Sequence, residues 1–159
     1  MIEVNLITAL QRFLESVVKD YDLPAVDADG TWKAPAVINS YLPVTQDDSD
    51  DNPFVLVRAE SGSASQETIS IKVAIIVGCH DPDQKQGGYN WALDIIARIR
   101  TALMGMENQV LKDIDGRPRY QFIPEVTWEN VSDQTWPYFQ LQMMTSWQLR
   151  SPQPPAIDF

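Results

Sequence analysis

Three consecutive residues, Cys79, His80 and Asp81, are of the types that act as nucleophile, base and orienting acid in covalent catalysis. They end a run of alternating apolar residues that predicts a β-strand. Neighbours on an extended chain point to opposite sides, so these side chains cannot converge on one substrate atom. We expect Cys79 to be a small core residue and His80 a polar residue at a strand end, and we predict no catalytic residue. An enzyme or small-molecule binding domain that uses this region stays open as an alternative.

Metal and phosphate sites need residue sets that the sequence does not contain. A structural zinc site takes several cysteine or histidine ligands, and the chain has one of each. The Gly87-Gly88 pair precedes a predicted helix, but the Gly-x-Gly-x-x-Gly and Walker patterns that cradle phosphates are missing. We expect the pair to serve chain reversal and helix entry, and we predict neither a metal nor a cofactor.

Acidic residues crowd the segment 45–52, namely Asp47, Asp48, Asp50 and Asp51. Carboxylates suit calcium, but the glycine and the terminal glutamate of an EF-hand are not found at their required spacing. Like charges without an apolar anchor predict a solvated loop instead. An adaptor that presents this loop to a basic partner is a further alternative.

Length and charge limit the class of protein. With 159 residues, of which 44% are hydrophobic, the chain can bury the core of one folded domain. The net charge of -10 argues against a surface that grips nucleic acid, because that affinity comes mainly from lysine and arginine. No apolar run approaches the ~20 residues that span a bilayer, so we expect no membrane contact and synthesis in the cytoplasm.

Strands and helices must position these residues. Apolar and β-branched residues predict strands over 54–60 and 67–79, joined as a hairpin through a flexible tip that contains Ser61, Gly62 and Ser63. The small polar residues of the tip leave its backbone open to contact.

Two amphipathic helices and a second pair of strands complete the predicted elements. Apolar residues recur at helical spacing over 6–21 and again over 89–106. Period-two alternation predicts a strand over 120–128, with Tyr120, Phe122, Val126 and Trp128 on one face and Pro124 bending the strand or placing it at an edge. The same alternation predicts a strand over 138–150.

The order of these elements predicts an α+β fold in which two helices pack on one face of a mainly antiparallel sheet of about four strands, in the order α-β-β-α-β-β. We predict one domain over 1–150, followed by an extended proline-rich tail over 151–159. Prolines interrupt the stretch 22–42, which we predict to be a long connection.

Some residue types in the sequence are suited to contact with another protein chain. Large aromatics fill cores or anchor interfaces; we expect Trp91 and Trp147 in the core and Trp136, in a predicted loop, at a partner contact. Gln140 and Gln142 on the last strand form a polar, uncharged face that tolerates burial against another chain. A solvent-facing sheet is the alternative for these two glutamines.

Several features recur together in one known family. They are the first helix, the acidic connector, Pro53-Phe54-Val55-Leu56-Val57, the long strand 69–79, the break over 81–88 before the second helix, and the last strand with its Trp147-Gln148-Leu149-Arg150 end. In their order and character they resemble the tail terminator and tail completion proteins of long-tailed phages and prophages.

The resemblance implies a structural protein without catalytic residues, which forms a hexameric ring and caps the tail tube. Its implied partners are further copies of itself, the tail tube protein and the head-side connector protein, with DNA passing through without specific binding. It implies assembly in the host cytoplasm and then a place in the virion tail. A head-tail connector or neck stopper protein is the neighbouring alternative.

A ring also predicts where its subunits touch. Such subunits meet through two different patches, and an exposed strand edge or hairpin tip serves that purpose. We expect the hairpin tip 60–67, the acidic loop 45–52 and the tail 152–159, with Pro154 and Phe159, to contact partners.

Overall fold

The described part of the chain covers residues 2–21, 23–24, 32–39, 53–81, 87–131 and 138–150 of a computed structural model. It contains two α-helices, a short 3₁₀ helix (Glu107–Gln109) and eight strands. The helices are α1 (Ile2–Val18) and α2 (Gly87–Met104). The strands are β1 (Leu23–Pro24), β2 (Trp32–Lys33), β3 (Ala36–Asn39), β4 (Phe54–Ala64), β5 (Thr68–His80), β6 (Val110–Lys112), β7 (Pro118–Asn130) and β8 (Tyr138–Arg150).

Six of the strands form one mixed sheet in the order β3-β4-β5-β8-β7-β6, which curves into a half-barrel. β3 runs parallel to β4, and every other neighbouring pair in this sheet is antiparallel. β1 and β2 form a separate two-stranded ribbon. The sheet therefore ends in β3 on one side and in β6 on the other.

The predicted fold of about four mainly antiparallel strands is wrong, because two short strands extend the sheet and one of them is parallel. β3 lies within the stretch 22–42 that we predicted to be a connection, directly after Pro35. β6 has only three residues. Strands this short show no clear alternation of apolar and polar residues, so their partners, and not their own sequence, define them.

The centre of the sheet is the pair β5 and β8, whose register runs without interruption from Thr68 opposite Arg150 to His80 opposite Tyr138. Odd-numbered residues of both strands point to the side that carries the helices, as the alternation in the sequence predicts. The buried residues among them are Ile71, Val73, Ile75, Val77 and Cys79 in β5, and Leu141, Met143, Thr145, Trp147 and Leu149 in β8. The core predicted for Trp147 is confirmed, whereas Trp91 is only partly buried against it.

Both helices cover this buried side of the sheet. In α1, Leu6, Leu10 and Leu14 recur every fourth residue and are fully buried. In α2 the buried positions include Ile95 and Ile99 at the same spacing. Each such side chain contributes about 1.5–3 kcal/mol by leaving water, so the two apolar stripes fix both helices on the sheet.

The opposite side of the sheet, here called the open face, contains one tight contact near the start of β4. The ring of Phe54 lies over Gly78, its partner on β5. A Cβ atom at position 78 would overlap this ring, so the contact requires glycine. Phe54 and Leu56 are buried on this face although they lie outside the main core.

Three register shifts adjust the outer strands, and one of them lies between Leu111 and Lys112 of β6. Between Ala59 and Ser61 the register of β4 on β5 shifts by one residue, which exchanges the faces of the residues that follow. Between Ile123 and Thr127 the register of β7 on β8 shifts by two, so the faces are kept. This is why Trp128 still points to the helix side of the sheet, as its spacing from the other aromatics predicts.

A buried hydroxyl links the central strands to the core. Thr145 donates a hydrogen bond from Oγ1 to the carbonyl oxygen of Val73 at 2.9 Å, and the same Oγ1 accepts one from the indole Nε1–H of Trp147 at 2.8 Å. Both Thr145 and Trp147 have no exposed surface. The hydroxyl thus satisfies a buried donor that no solvent can reach.

Replacing Thr145→Val should lower the free energy of unfolding by about 1–3 kcal/mol, because the buried indole N–H then loses its acceptor. Urea denaturation of Thr145→Val, Trp147→Phe and the double variant measures this. In the Trp147→Phe background, which has no indole N–H, the threonine substitution should cost about 1 kcal/mol less. If the two substitutions lowered the free energy of unfolding by strictly additive amounts, the hydrogen bond between Trp147 and Thr145 would make no contribution to stability.

Candidate functional site

The three residues considered for catalysis point in different directions. Cys79 faces the helix side and is 1% exposed. His80 is half-buried, and its ring lies 5.1 Å from that of Tyr138, its partner on β8. Asp81 is buried at the start of the connection to α2. The structure therefore does not assemble Cys79, His80 and Asp81 into a nucleophile, base and orienting acid, and it confirms Cys79 as a core residue.

The thiol of Cys79 is a poor nucleophile in this position. Burial raises its pKa from the ordinary value of 9.0 to about 12, and the nearby carboxylate of Asp81 adds to the rise. A thiol with that pKa stays protonated at neutral pH, whereas reactive cysteines have lowered pKa values.

Asp81 serves the N-terminus of α2. Its Oδ2 accepts a hydrogen bond at 2.8 Å from the backbone N–H of Gly88, within the first turn of the helix. A carboxylate there satisfies a free donor and complements the helix dipole. A Cβ at position 88 would lie 2.7 Å from both Asp81 Cβ and Phe139 Cδ2, so only glycine fits. The bound carboxylate leaves this helix end unsuited to a phosphate.

The carboxylate at this helix end is a feature that the sequence analysis missed. The signal available was an acidic residue at a strand end, followed by a Gly-Gly pair and a helix. Among the described residues, no group of three or more His, Cys, Asp or Glu side chains could hold a metal ion.

A cleft of about 730 Å³ lies between α1 and the turn around β6. Its walls include Arg12, Phe13, Lys112 and Asp113. Asp113 Oδ1 accepts two backbone hydrogen bonds, from Asp115 and Arg117 N–H, both at 2.9 Å. The carboxylate is thus engaged in its own turn, and no acid–base pair converges in the cleft.

The residues proposed for partner contact fall in two separate places on the sheet. Ser61, Gly62 and Ser63 are exposed, but the flexible tip predicted for them is wrong, because β4 continues to Ala64 and pairs these residues with Lys72, Ile71 and Ser70 of β5. Gln140 and Gln142 are half-buried near the opposite end of the sheet, where they pair with Gly78 and Ile76. The structure therefore does not join them into one patch. Other predicted contact residues lie outside the described residues, namely Asp47, Asp48, Asp50, Asp51, Trp136, Pro154 and Phe159.

Strand edges without a neighbour are the most distinctive surface of the described part of the chain. β3 pairs with β4 only along Phe54 to Val57, so no described strand lies beside residues 59–64 on their outer side. β6 pairs with β7 only along Pro118 to Gln121, so none lies beside residues 127–130. Unpaired backbone N–H and C=O groups of this kind are templates for another strand.

The second of these edges includes an exposed tryptophan. Trp128 is 43% exposed, although its side chain points to the helix side of the sheet. The sequence pattern placed it with Tyr120 and Phe122, both of which are fully buried. Its exposure arises because β6 ends before reaching it, which no local pattern reveals.

No protein-family model matches the chain, and no curated protein matches it. Within the described ranges, none of the helices combines the length and the apolar character needed to cross a membrane. The geometry of the described residues therefore carries the functional argument.

The raised pKa of Cys79 should appear in the pH dependence of stability. Between pH 9 and pH 12 the unfolded chain loses the thiol proton while the folded chain keeps it, so this contribution is complete below pH 9 and is lost as pH rises towards 12. Relative to Cys79→Ala, the wild type should lose at most about 1.4 kcal/mol per pH unit in that window.

Urea denaturation of both proteins from pH 8 to pH 11 measures this difference. Tyr120, whose pKa burial also raises, contributes equally to both proteins and cancels. Burial raises the pKa of Tyr21 as well, but Cys79 adds to that rise, so the contribution of Tyr21 cancels only in part. Parallel stability curves for wild type and Cys79→Ala would contradict the assignment.

Proposed function

We propose that the chain is a structural protein of a long-tailed phage, which assembles as a ring on the head-proximal end of the tail tube. The proposal joins the resemblance to tail terminator and tail completion proteins with the free strand edges. In this role the chain needs no catalytic centre. It works through contacts to copies of itself, to the tail tube protein and to the head-side connector protein.

The observation that carries the proposal is that, within the described ranges, no strand pairs with the outer side of residues 59–64 or of residues 127–130, which lie at opposite edges of one sheet. A ring needs two different contact patches per subunit, facing in opposite directions along the ring. Two edges at opposite sides of a sheet supply such a pair, and backbone hydrogen bonds supply the affinity.

The distribution of charge supports close approach of copies. Ten of the 22 acidic residues lie outside the described residues, with Lys85 as the one basic residue in the same segments. They are Asp22, Asp27, Asp29, Asp47, Asp48, Asp50, Asp51, Asp83, Asp133 and Asp158. The described part is nearly balanced in charge, so its edges can meet without the repulsion that a net charge of -10 implies.

The same acidity fits a protein that DNA passes without being held. Phosphate contacts need clustered lysine and arginine, and an acidic ring would repel the duplex. We propose assembly in the host cytoplasm and then a position in the virion tail. A neck stopper or connector protein would use the same edges; co-purification with the tail tube protein, as opposed to the head connector, separates the two roles.

Light scattering across a concentration series, with negative-stain images of the large species, tests the proposal. We expect closed rings of about six subunits. The rings should persist when salt is raised, because backbone pairing does not depend on screened surface charges, unlike binding of a basic partner by the acidic loop. A monomer at every concentration would contradict self-assembly as the function.

A further inference from the structure

At the two lateral edges of the sheet, the end strand of one edge lies at the same height as the unpaired segment of the other, where height is the position along β5. On one side, Ile38 of β3 pairs with Leu56, which pairs with Ile76. On the other side, Glu129 in the free edge of β7 pairs with Gln142, which also pairs with Ile76. The end strand β3 and the free segment 127–130 are therefore level with each other at opposite sides of one sheet.

The end strand β6 is likewise level with the free segment of β4 at the other edge of the sheet. Val110 of the end strand β6 pairs with Gln121, which pairs with Gln148 and, through it, is level with Ser70. Ser63, in the free edge of β4, also pairs with Ser70. Among the described strands, each edge of the sheet thus has a short end strand at one height and a gap at the other, and the strand at one edge is level with the gap at the other.

We propose that copies of this chain join side by side by filling these gaps, so that β3 of one copy pairs with residues 127–130 of the next, and β6 of that next copy pairs with residues 59–64 of the first. The inference rests on the proposed function in that it takes the partner to be a second copy. From the strand directions, the β3–β7 pairing is antiparallel and the β6–β4 pairing is parallel. The outward carbonyl oxygen of Val37 accepts a hydrogen bond from Gln11 Nε2 at 3.0 Å in the single copy, and the β3–β7 pairing replaces this bond.

The chemistry of the edges favours this head-to-tail pairing over a two-fold pairing of two β3 sides. A two-fold dimer would place Val37 and Ile38 of β3 beside the polar Ser61-Gly62-Ser63 segment. Head-to-tail pairing places Val37, which is half-buried in one copy, diagonally across from the exposed Trp128 on the helix side of the sheet. Asn39 is level with Trp128, and Ile38 faces the other side of the sheet beside Glu129. Burying an aromatic against β-branched residues across a strand pair is favourable, whereas serine and glycine offer little apolar area.

Trp128→Ala should therefore weaken assembly, because Trp128 lies in the proposed contact. We expect the concentration at half-assembly to rise about tenfold or more. Met104→Ala is the matched control, since Met104 is 38% exposed on α2 and belongs to none of the proposed contact strands. An equal effect of both substitutions would overturn the contact.

Disulfide trapping tests the pairing itself, in a Cys79→Ala background that removes the native thiol. Ile38 and Glu129 are level and face the same side of the sheet, so the double variant I38C/E129C should give a ladder of covalent multimers on oxidation. Each single variant should stay monomeric under denaturing conditions. The pair I38C/T127C covers a register shift of two residues.

The pair I38C/S63C reports the two-fold arrangement. Efficient covalent dimers from I38C/S63C, with no ladder from I38C/E129C or I38C/T127C, would overturn the head-to-tail inference. If light scattering shows rings but none of the pairs cross-links, the inference fails and the proposed function stands. A chain that remains monomeric before oxidation would overturn both.

Discussion

The unbroken pairing of β5 with β8 determines where every other described element lies. Because the register does not shift between Thr68 and His80, odd-numbered residues of both strands face one side and provide a continuous apolar surface for α1 and α2. The hydroxyl of Thr145 accepts the hydrogen bond of the buried indole N–H of Trp147, the largest side chain of that surface. The heights of the two outer gaps are also measured from these two strands, so the proposed contacts between copies depend on the same register.

Much of this centre could be predicted from the sequence, since its signals are local. Period-two alternation placed β8 at its observed bounds, and the three- and four-residue spacing of apolar residues identified α2. The two end strands of the sheet, β3 and β6, could not be predicted in this way. β3 pairs in parallel with a distant segment directly after Pro35, and β6 is too short for any pattern, so tertiary pairing defines both. These two strands turn a four-stranded antiparallel prediction into a six-stranded mixed sheet.

The residues of the candidate site also differ in whether local sequence could predict their exposure and role. The exposure of Ser61, Gly62 and Ser63 could be predicted from their small polar side chains, but their pairing within β4 could not, because the same residue types favour a turn. Trp128 could not, because its position in the alternation matches that of a core residue and its exposure depends on where β6 stops. Asp81 was considered for catalysis, yet its carboxylate accepts a hydrogen bond from Gly88 at the N-terminus of α2. In both cases the neighbours in space, and not the residue type, set the role.

Hydrogen–deuterium exchange on dilute and concentrated protein tests the central claim, that free strand edges join the copies, most directly. On assembly, exchange should slow at the backbone amides of residues 59–64 and 127–130, which gain hydrogen-bond partners, while amides in the middle of α2 stay unchanged. Slower exchange confined to the exposed faces of the helices, with both edges unchanged, would contradict the account.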